Sequence, residues 1–465
     1  MSLDAVLARI DDDLTGSIDR LMEFLRIQSI STDPAFKGEV EKAADWLVAD
    51  LNSIGIKAEK RPTTGHPMVV GHVGEENSDA PHLLFYGHYD VQPVDPLDLW
   101  KTPPFEPQIE NTPAGKVIRG RGASDDKGQL MTFVEACRAW KAVHGTLPCR
   151  ITFFFEGEEE SGSPSLVPFM EANAEELTAD LALICDTSMV SRGVPSIASQ
   201  LRGMLKDEFT ITGPRIDLHS GHYGGPGLNP LREMARIVAS FYDEETGRVT
   251  VEGFYEGVHE VPADQLRQWQ NCGFDEAEYL TSVGYSVPHG EKAYSTLEQQ
   301  WARPTLEVNG MWGGYTGAGS KTVIPSQAHC KITCRLVGDM DPDALRGKIR
   351  KHVEERLSPD ATVQWDQDLE GSPAPVMNIE RPEFEAARGA LSDEWNREAV
   401  FTGMGGSIPI AGFFKSVLGL DAMLIGFAND DDAIHSPNEK YDVTSFHKGM
   451  RSWVRVLEAL TNKPA

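Results

Sequence analysis

Hydrophobic residues recur along the chain in two alternating patterns. Residues 3–25 and 40–51 carry apolar side chains at the spacing of one helix face. Short continuous apolar runs, bounded by polar or glycine-rich turns, occupy residues 83–86, 150–155 and 181–185. Such runs are typical of strands buried on both faces. Because strands alternate with helices, the pattern predicts an α/β fold with a doubly wound, mostly parallel sheet.

The pattern changes near residue 199. Residues 205–212 and 331–337 alternate apolar and polar positions, as strands with one exposed face do. Helical spacing also occurs within this region, and from residue 382 the earlier pattern returns. We therefore predict one α/β domain interrupted by an inserted α+β domain. The predicted divisions are residues 1–198, 199–376 and 377–465.

Composition narrows the possible partners. Among 465 residues, 43 Lys and Arg stand against 71 Asp and Glu, a formal net charge of −28. A surface of this sign repels nucleic acid and anionic lipid, so neither is an expected partner. No apolar run approaches the ~20 residues that a membrane helix needs, and the acidic first segment is unlike a signal peptide. Six scattered cysteines without a Cys-x-x-Cys pair favour free thiols, and we expect a cytoplasmic location.

Acidic and imidazole side chains follow the predicted buried strands. The residues at these exits are His88, Asp90, Asp125, Glu159, Glu160, Asp186 and His435. The carboxyl ends of parallel strands meet at one sheet edge, where such carboxylates would repel one another unless cations neutralise them. Two histidines and three carboxylates, one of them bridging, suit a pair of divalent ions in a hydrolytic site. Zinc fits this donor set best, and manganese or cobalt also fit.

Each of these residues also has an ordinary structural explanation. Asp125 lies in a glycine-rich turn, where aspartate is common. Glu159 and Glu160 precede a predicted helix, where acidic residues complement the helix dipole. Asp186 could cap a helix, and His435 could be a loop histidine. It is their joint occurrence at strand exits that favours a metal site.

Four sequence strings carry a family resemblance. Residues 87–93 (GHYDVQP), 120–128 (GRGASDDKG), 156–163 (EGEEESGS) and 435–439 (HSPNE) resemble motifs of the co-catalytic dizinc peptidases and amidohydrolases. That family includes carnosinase, cytosolic non-specific dipeptidase, glutamate carboxypeptidase, aminoacylase and succinyl-diaminopimelate desuccinylase. The resemblance extends from about residue 15 to the end of the chain, with the motifs in the family's order.

The resemblance implies a role for each metal donor. His88 and Asp186 would bind one ion, Glu160 and His435 would bind the other, and Asp125 would bridge the two. Two ions held in this way share a water and polarise a carbonyl group.

Further roles follow from the same resemblance. Asp90 would orient its histidine neighbour, and Glu159 would be the general base that activates the shared water and then protonates the leaving amine. The family pattern, two glutamates followed two residues later by glycine, places the pair at 159 and 160 rather than 158 and 159. The peptide between Asp125 and Asp126 is expected to be cis.

The inserted domain resembles the family's lid, which also mediates homodimerisation. Within residues 217–225, His219 would reach the partner subunit's site and steady the developing oxyanion. Thr322 and Arg335 match positions that hold the substrate's free carboxylate, and Ser407 matches a ligand contact in the substrate loop.

Two features point to a branch of the family. The aspartate at position 186 is similar to that of the family's dipeptidases and aminopeptidases, and the long insertion over 251–294 resembles the carnosinase branch. The expected activity is therefore hydrolysis of the amide bond of dipeptides or small peptides. An N-acyl amino acid amidohydrolase or a carboxypeptidase uses the same groups and is the alternative. A non-catalytic binding protein on the same fold is disfavoured by the intact set of donors and base.

Overall fold

A computed structural model gives the fold, and the structure describes residues 2–74, 80–366, 369, 371–405 and 409–461. The strands are β1 (Lys57–Arg61), β2 (Met68–Val73), β3 (His82–His88), β4 (Gln108–Thr112), β5 (Gly115–Arg119), β6 (Arg150–Glu156), β7 (Leu181–Ile184), β8 (Ser196–Leu201), β9 (Gly203–Thr212), β10 (Leu218–His219), β11 (Thr305–Gly313), β12 (Val323–Ile324), β13 (Gln327–Leu336), β14 (Thr362–Trp365), β15 (Gly371–Ser372), β16 (Val400–Met404), β17 (Ala422–Ile425) and β18 (Lys440–Asp442). The helices are α1 (Leu3–Asp12), α2 (Leu14–Leu25), α3 (Lys37–Ser53), α4 (Lys127–His144), α5 (Leu166–Ala172), α6 (Ala174–Leu177), α7 (Ser220–Tyr223), α8 (Pro230–Ala239), α9 (Ala263–Asn271), α10 (Glu276–Ser282), α11 (Thr296–Trp301), α12 (Pro342–Glu354), α13 (Pro382–Trp395), α14 (Pro409–Leu418) and α15 (Val443–Thr461).

The largest sheet has eight strands in the order β1-β2-β6-β3-β7-β17-β8-β16. The pairs β6–β3, β3–β7, β7–β17 and β8–β16 are parallel, whereas β1–β2, β2–β6 and β17–β8 are antiparallel. The prediction of a mostly parallel α/β sheet is therefore confirmed. The three continuous apolar runs of the sequence form β3, β6 and β7, which lie side by side at the centre of this sheet.

Helices pack these central strands into a buried core. Phe85 on β3 stacks on Phe133 of α4, with ring centroids 3.7 Å apart. Trp453 of α15 meets both rings edge-on, at 5.8 Å and 5.2 Å. All three side chains are fully buried, and aromatic pairs of this kind fix the positions of their elements. The carboxyl ends of β3 and its neighbours are thus held rigidly.

A second sheet lies in the inserted region. Its order is β11-β13-β9-β14, with β15 also pairing with β9, and all of these pairs are antiparallel. The alternation along residues 205–212 and 331–337 corresponds to β9 and β13, which pair over their whole lengths. The helices α8 and α12 cover the buried face of this sheet and share its hydrophobic core. Two smaller sheets, β10-β12 and β18-β5-β4, complete the topology of the described residues.

The chain passes between the two large sheets at two places. It leaves the first sheet after Leu201 and enters β9 at Gly203. It returns near Val376, which forms an isolated bridge with Gln200. The exact domain boundaries at residues 199 and 376 stay predictions.

The structure also shows the state of the cysteines and the lengths of the helices. All six cysteines are free and buried. Over the described part of the chain, no helix has the length and apolarity required to cross a bilayer.

Candidate active site

The strand exits at the centre of the large sheet bring the predicted site residues together. In the parallel register His88, the last residue of β3, lies opposite Glu156, the last residue of β6. On the other side of β3, Tyr86 lies opposite Ile184 at the end of β7. The segment after β6 carries Glu159, and the segment after β7 carries Asp186. Both segments therefore leave the same edge of the sheet as His88.

One group of possible metal donors is centred on His88, which is fully buried. Its Nε2 atom lies 3.1 Å from Oδ1 of Asp125 and 3.9 Å from Oδ2 of Asp186. The three side chains each offer a ligand atom within 4.8 Å of the others, the spacing expected around a single ion.

A second group contains Asp125, Glu160 and His435, again with all ligand atoms within 4.8 Å of one another. Nε2 of His435 lies 2.9 Å from Oδ2 of Asp125 and 3.2 Å from Oε2 of Glu160. Asp125 is thus the member common to both groups, and each of its oxygens faces a different histidine. His435 is 53 % exposed, so the cluster opens to solvent on that side.

The donor set fits a pair of divalent cations. Its five side chains are imidazoles and carboxylates, the usual protein ligands of zinc and manganese. The side chain of Glu160 is only 2 % exposed. Its Oε1 is buried and has no hydrogen-bond partner among the described residues. A buried carboxylate oxygen without a partner is costly, and a cation would satisfy it.

The side chains of the cluster shift one another's pKa values. Burial alone would lower the pKa of His88, but its hydrogen bonds to Asp125 and Asp90 raise that pKa well above its ordinary value. Hydrogen bonds to Asp125 and Glu160 raise the pKa of His435 to about 10. Burial favours the neutral form of Asp125, yet the hydrogen bonds from His435 and His88 hold its pKa below the ordinary range.

The remaining acids respond to burial and to one another. Burial and the charge of Asp125 raise the pKa of Asp186 well above its ordinary value. Burial also raises the pKa of Glu159 to about 7, with His88 opposing and Glu160 and Asp90 adding to the shift. A carboxyl group with a pKa near neutrality can both accept and return a proton at physiological pH.

Asp90 connects His88 to the glutamates. Its Oδ1 lies 3.3 Å from Nδ1 of His88, the ring nitrogen that faces away from Asp125. Its carboxylate also accepts hydrogen bonds from the backbone N–H groups of Glu159 and Glu160, at 3.3 Å and 3.0 Å. A carboxylate on the second nitrogen of a ligating histidine fixes the ring and its tautomer.

Glu158 points away from the cluster. Its carboxylate accepts hydrogen bonds from the backbone N–H groups of His66 and Ser165, at 2.6 Å and 3.0 Å. Glu160, by contrast, contacts His435. Glu160, and not Glu158, is therefore the glutamate that lies in the donor group.

Glu439 is a buried residue of the site that the sequence argument did not assign a role. Its carboxylate accepts hydrogen bonds from the backbone N–H groups of Gly122, Ser124 and Asp125, at 2.9–3.1 Å. Nη1 of Arg121 donates to the same carboxylate at 2.7 Å. The loop that carries Asp125 is thereby fixed, and the Asp125–Asp126 peptide within it is cis, as the resemblance implied.

Two of the predicted residues, His219 and Thr322, lie close together in the inserted region. His219 on β10 is exposed and belongs to neither donor group, and its Nδ1 accepts a hydrogen bond from the N–H of Gly221. The pairing of β10 with β12 brings the neighbouring Ser220 N–H to 3.1 Å from the carbonyl oxygen of Thr322.

Arg335 lies half-buried on β13, near a second arginine. Burial and the charge of Arg335 lower the pKa of Arg202 to about 10. Nε of Arg202 donates to the carbonyl oxygen of Gly405 at 2.8 Å. Ser407 lies outside the described residues.

Two triads of donors that share an aspartate, at the carboxyl edge of a mostly parallel sheet, define a class of metal-dependent hydrolase. The sequence matches the profile of peptidase family M20/M25/M40 over residues 84–459, and the chain belongs to this family. The prediction of an enzyme of the dizinc peptidase family is thereby confirmed.

Particular relatives cover nearly the whole chain. The Cys-Gly metallodipeptidase of Schizosaccharomyces pombe is 29 % identical over 477 residues, covering 99 % of each chain. The human Beta-Ala-His dipeptidase is 28 % identical over 466 residues, covering 97 % of this chain and 91 % of the relative.

Two solved structures are similar to this chain over nearly its whole length. Human carnosine dipeptidase 1 superposes with a TM-score of 0.78 at 26 % identity, over 99 % of both chains. The metallo-carboxypeptidase Sso-CP2 of Sulfolobus solfataricus has a TM-score of 0.78 at 29 % identity, over 96 % of this chain and 99 % of the other.

Proposed function

We propose that the protein is a metal-dependent dipeptidase that hydrolyses the amide bond of dipeptides or small peptides. The observation that carries the proposal is the position of Asp125 in two donor groups at once. The names of the relatives, a Cys-Gly metallodipeptidase and a Beta-Ala-His dipeptidase, support dipeptides as the substrate class.

Two divalent ions, most simply zinc, are the proposed cofactors. His88, Asp186 and Asp125 would hold one ion, and Asp125, Glu160 and His435 the other. Bound ions of this kind polarise a carbonyl group and lower the pKa of a shared water.

Glu159 is the proposed general base. This half-buried residue, whose backbone N–H donates to Asp90 beside His88, would take the proton from the attacking water and pass it to the leaving amine. Asp90 would act through His88, by holding the ring in the orientation that faces Asp125.

The inserted region would recognise the rest of the substrate. Arg335 can hold a free carboxylate with two parallel hydrogen bonds, and Thr322 and Ser407 would add contacts. His219 would stabilise the charge that develops on the scissile carbonyl oxygen. Because His219 is exposed and stands apart from the donor groups, we propose that it serves the site of a second subunit.

A homodimer formed through the inserted region accounts for the exposed apolar residues there. Met311 and Trp312, on the edge strand β11, are half-exposed, and Ile216, Tyr223 and Tyr315 are also exposed. Large exposed apolar side chains of this kind are frequent at interfaces. Sedimentation equilibrium should give twice the chain mass. The cytoplasmic location and the lack of nucleic acid or membrane partners remain predictions.

Substrate turnover tests the proposed activity. The chelated protein, reloaded with zinc, manganese or cobalt, would be assayed on Ala-Ala, Cys-Gly and β-Ala-His, and on N-acetyl amino acids and tripeptides. Metal-dependent cleavage of the dipeptides is expected. Preferred turnover of N-acetyl amino acids would favour the amidohydrolase alternative, and preferred removal of the last residue of longer peptides would favour a carboxypeptidase. The similarity to Sso-CP2 makes the carboxypeptidase the second candidate.

A further inference from the structure

Two helices of the inserted region, α9 and α11, pack on β16 of the large sheet. Nε1 of Trp269 donates to the carbonyl oxygen of Phe401 at 2.7 Å, and the N–H of Phe401 donates to Oε1 of Gln268 at 3.0 Å. Nε2 of Gln200, on β8, donates to the carbonyl oxygen of Trp301 at 3.2 Å. These helices are therefore tied to the domain that carries the donor cluster.

A glycine permits the close approach. A Cβ atom at Gly403 of β16 would lie 2.4 Å from Cβ of Trp301, closer than two carbons can approach. The absence of a side chain lets α11 lie directly on the edge strand.

A cavity of about 170 Å³ lies where residues of this inserted segment meet the segments that follow β7 and β16. One wall is formed by residues 188–190, which begin two residues after Asp186, and by residues 402–405 of β16 and its exit. Because consecutive Cα atoms are about 3.8 Å apart, this wall starts within about 8 Å of a proposed metal ligand. The inserted region contributes Phe274, Tyr279, Leu297, Gln300 and Trp301 to the lining.

Tyr279 and Gln300 also line a larger cavity, of about 570 Å³. Nε2 of Gln300 lies 3.3 Å from the hydroxyl oxygen of Tyr279 and donates a hydrogen bond to it. A Cβ atom at Gly405 would lie 3.2 Å from Cγ of Gln300, so the glutamine also reaches the exit of β16. This hydrogen-bonded pair lines both cavities, and we refer to it as the partition between them.

We propose that the smaller cavity is the subsite for one side chain of the peptide substrate, and that Tyr279 and Gln300 set the size of the side chain it accepts. This inference rests on the proposed function. Met189, Leu297 and Trp301 make most of the lining apolar, while the amide of Gln300 and the hydroxyl of Tyr279 give it a polar end. Asp430 also lines the cavity and repels acidic side chains. The subsite therefore takes apolar or neutral polar side chains of moderate size and rejects Asp and Glu.

Removal of the partition tests this proposal. Tyr279→Ala joins the two cavities. It should raise kcat/KM for substrates with a Phe or Trp side chain, relative to substrates with an Ala side chain. The expected change is roughly 10–200-fold, the range for a misfit of about one methylene group in an apolar pocket. The gain should occur in only one of two dipeptide series, X-Gly or Gly-X, because one subsite holds one side chain. Tyr285→Ala is the matched control, since Tyr285 lines the larger cavity alone and its loss leaves the partition intact.

Three measurements accompany the kinetics: the metal content, the melting temperature, and turnover by the wild-type protein. With metal content and melting temperature unchanged, a size profile that keeps its shape in Tyr279→Ala would overturn the subsite. A uniform loss over all substrates would also overturn it. An inactive wild-type protein on every dipeptide would instead refute the proposed function, and the subsite with it.

Discussion

Nε2 of His435 lies 2.9 Å from Oδ2 of Asp125, while the other oxygen of this aspartate faces His88. Asp125 is the only residue common to the two donor groups found among the described residues. If the two groups bind ions as proposed, loss of Asp125 would affect both ions, and this dependence can be measured.

Asp125→Asn is expected to weaken both proposed ion sites, whereas Asp186→Asn should weaken one. Loss of a residue that orients a metal ligand already costs ~10–100-fold in affinity, and loss of a ligand itself should cost at least as much. Elemental analysis after dialysis against limiting zinc would give about two ions per wild-type chain, about one for Asp186→Asn and fewer for Asp125→Asn. Equal metal contents in the two variants would contradict the bridging role.

Glu159→Gln should reduce kcat by ~10²–10⁴-fold with unchanged metal content, because the amide cannot accept the proton of the attacking water. Glu158→Gln is the matched control, since its carboxylate binds backbone N–H groups away from the cluster. Steady-state rates on a dipeptide check both variants. Should Glu158→Gln, and not Glu159→Gln, lose catalysis, the register would shift by one residue, with Glu158 as the base and Glu159 as the metal ligand.

His219→Ala should lower kcat by ~10²–10³-fold, the loss expected for a donor to a developing oxyanion. Its exposure and its separation from the donor groups predict that it acts across a subunit interface. Inactive His219→Ala protein mixed with inactive Glu159→Gln protein should regain part of the wild-type activity, because some hybrid dimers hold one intact site. Differently tagged chains would verify subunit exchange. Absence of recovery after verified exchange would place His219 in its own subunit's site or outside catalysis.

Glu439→Gln should destabilise the protein by about 3–5 kcal/mol, because Arg121 would remain as a buried charge without its partner. Metal affinity should fall as well, since the loop that carries Asp125 loses a charged anchor. Urea denaturation measures the first effect and a zinc titration the second. Glu110→Gln is the control. Glu110 on β4 is half-exposed and pairs with Arg119 on the neighbouring strand β5, so its substitution should cost less than about 1 kcal/mol. A similar loss in both variants would refute the anchoring role.

His82 provides a test of pH dependence at the opposite end of β3. Burial and the charge of Arg150 lower its pKa to about 4, below the ordinary value of 6.5. The folded state therefore favours the neutral ring, and this contribution is fully present above pH 6.5 and is lost as the pH falls toward 4. His82→Gln should lose less stability than the wild type between pH 6.5 and 4.5, as measured by melting temperature. Parallel curves for the two proteins would contradict the assignment.

The sequence was most informative where residues are buried on both faces. The apolar runs at 83–86, 150–155 and 181–185 could be identified as central strands because no exposed position interrupts them. The polar residues directly after them could then be assigned to one edge of the sheet. The position of His435 had no such signal, since its loop lacks a periodic pattern, and the family motif supplied it.

Two other features had no local signal. Glu439 accepts hydrogen bonds mainly from backbone N–H groups, which every sequence possesses. Its side-chain partner Arg121 is 318 residues away in the sequence, so no local pattern marks its position. The packing of α9 and α11 against β16 depends on contacts between residues distant in sequence, such as Trp269 with Phe401. Residues 251–294 show no period from which this packing could be derived.

The loop that carries His435 and Glu439 lies close to the last helix of the chain, and it completes a cluster that otherwise comes from the first 186 residues. During synthesis on the ribosome, the earlier donors emerge long before this loop. A nascent chain therefore has no full set of donors, and no fixed Asp125 loop, until the loop between β17 and β18 has been synthesised. Hydrolytic competence would thus begin only after residues 435 and 439 have left the ribosome.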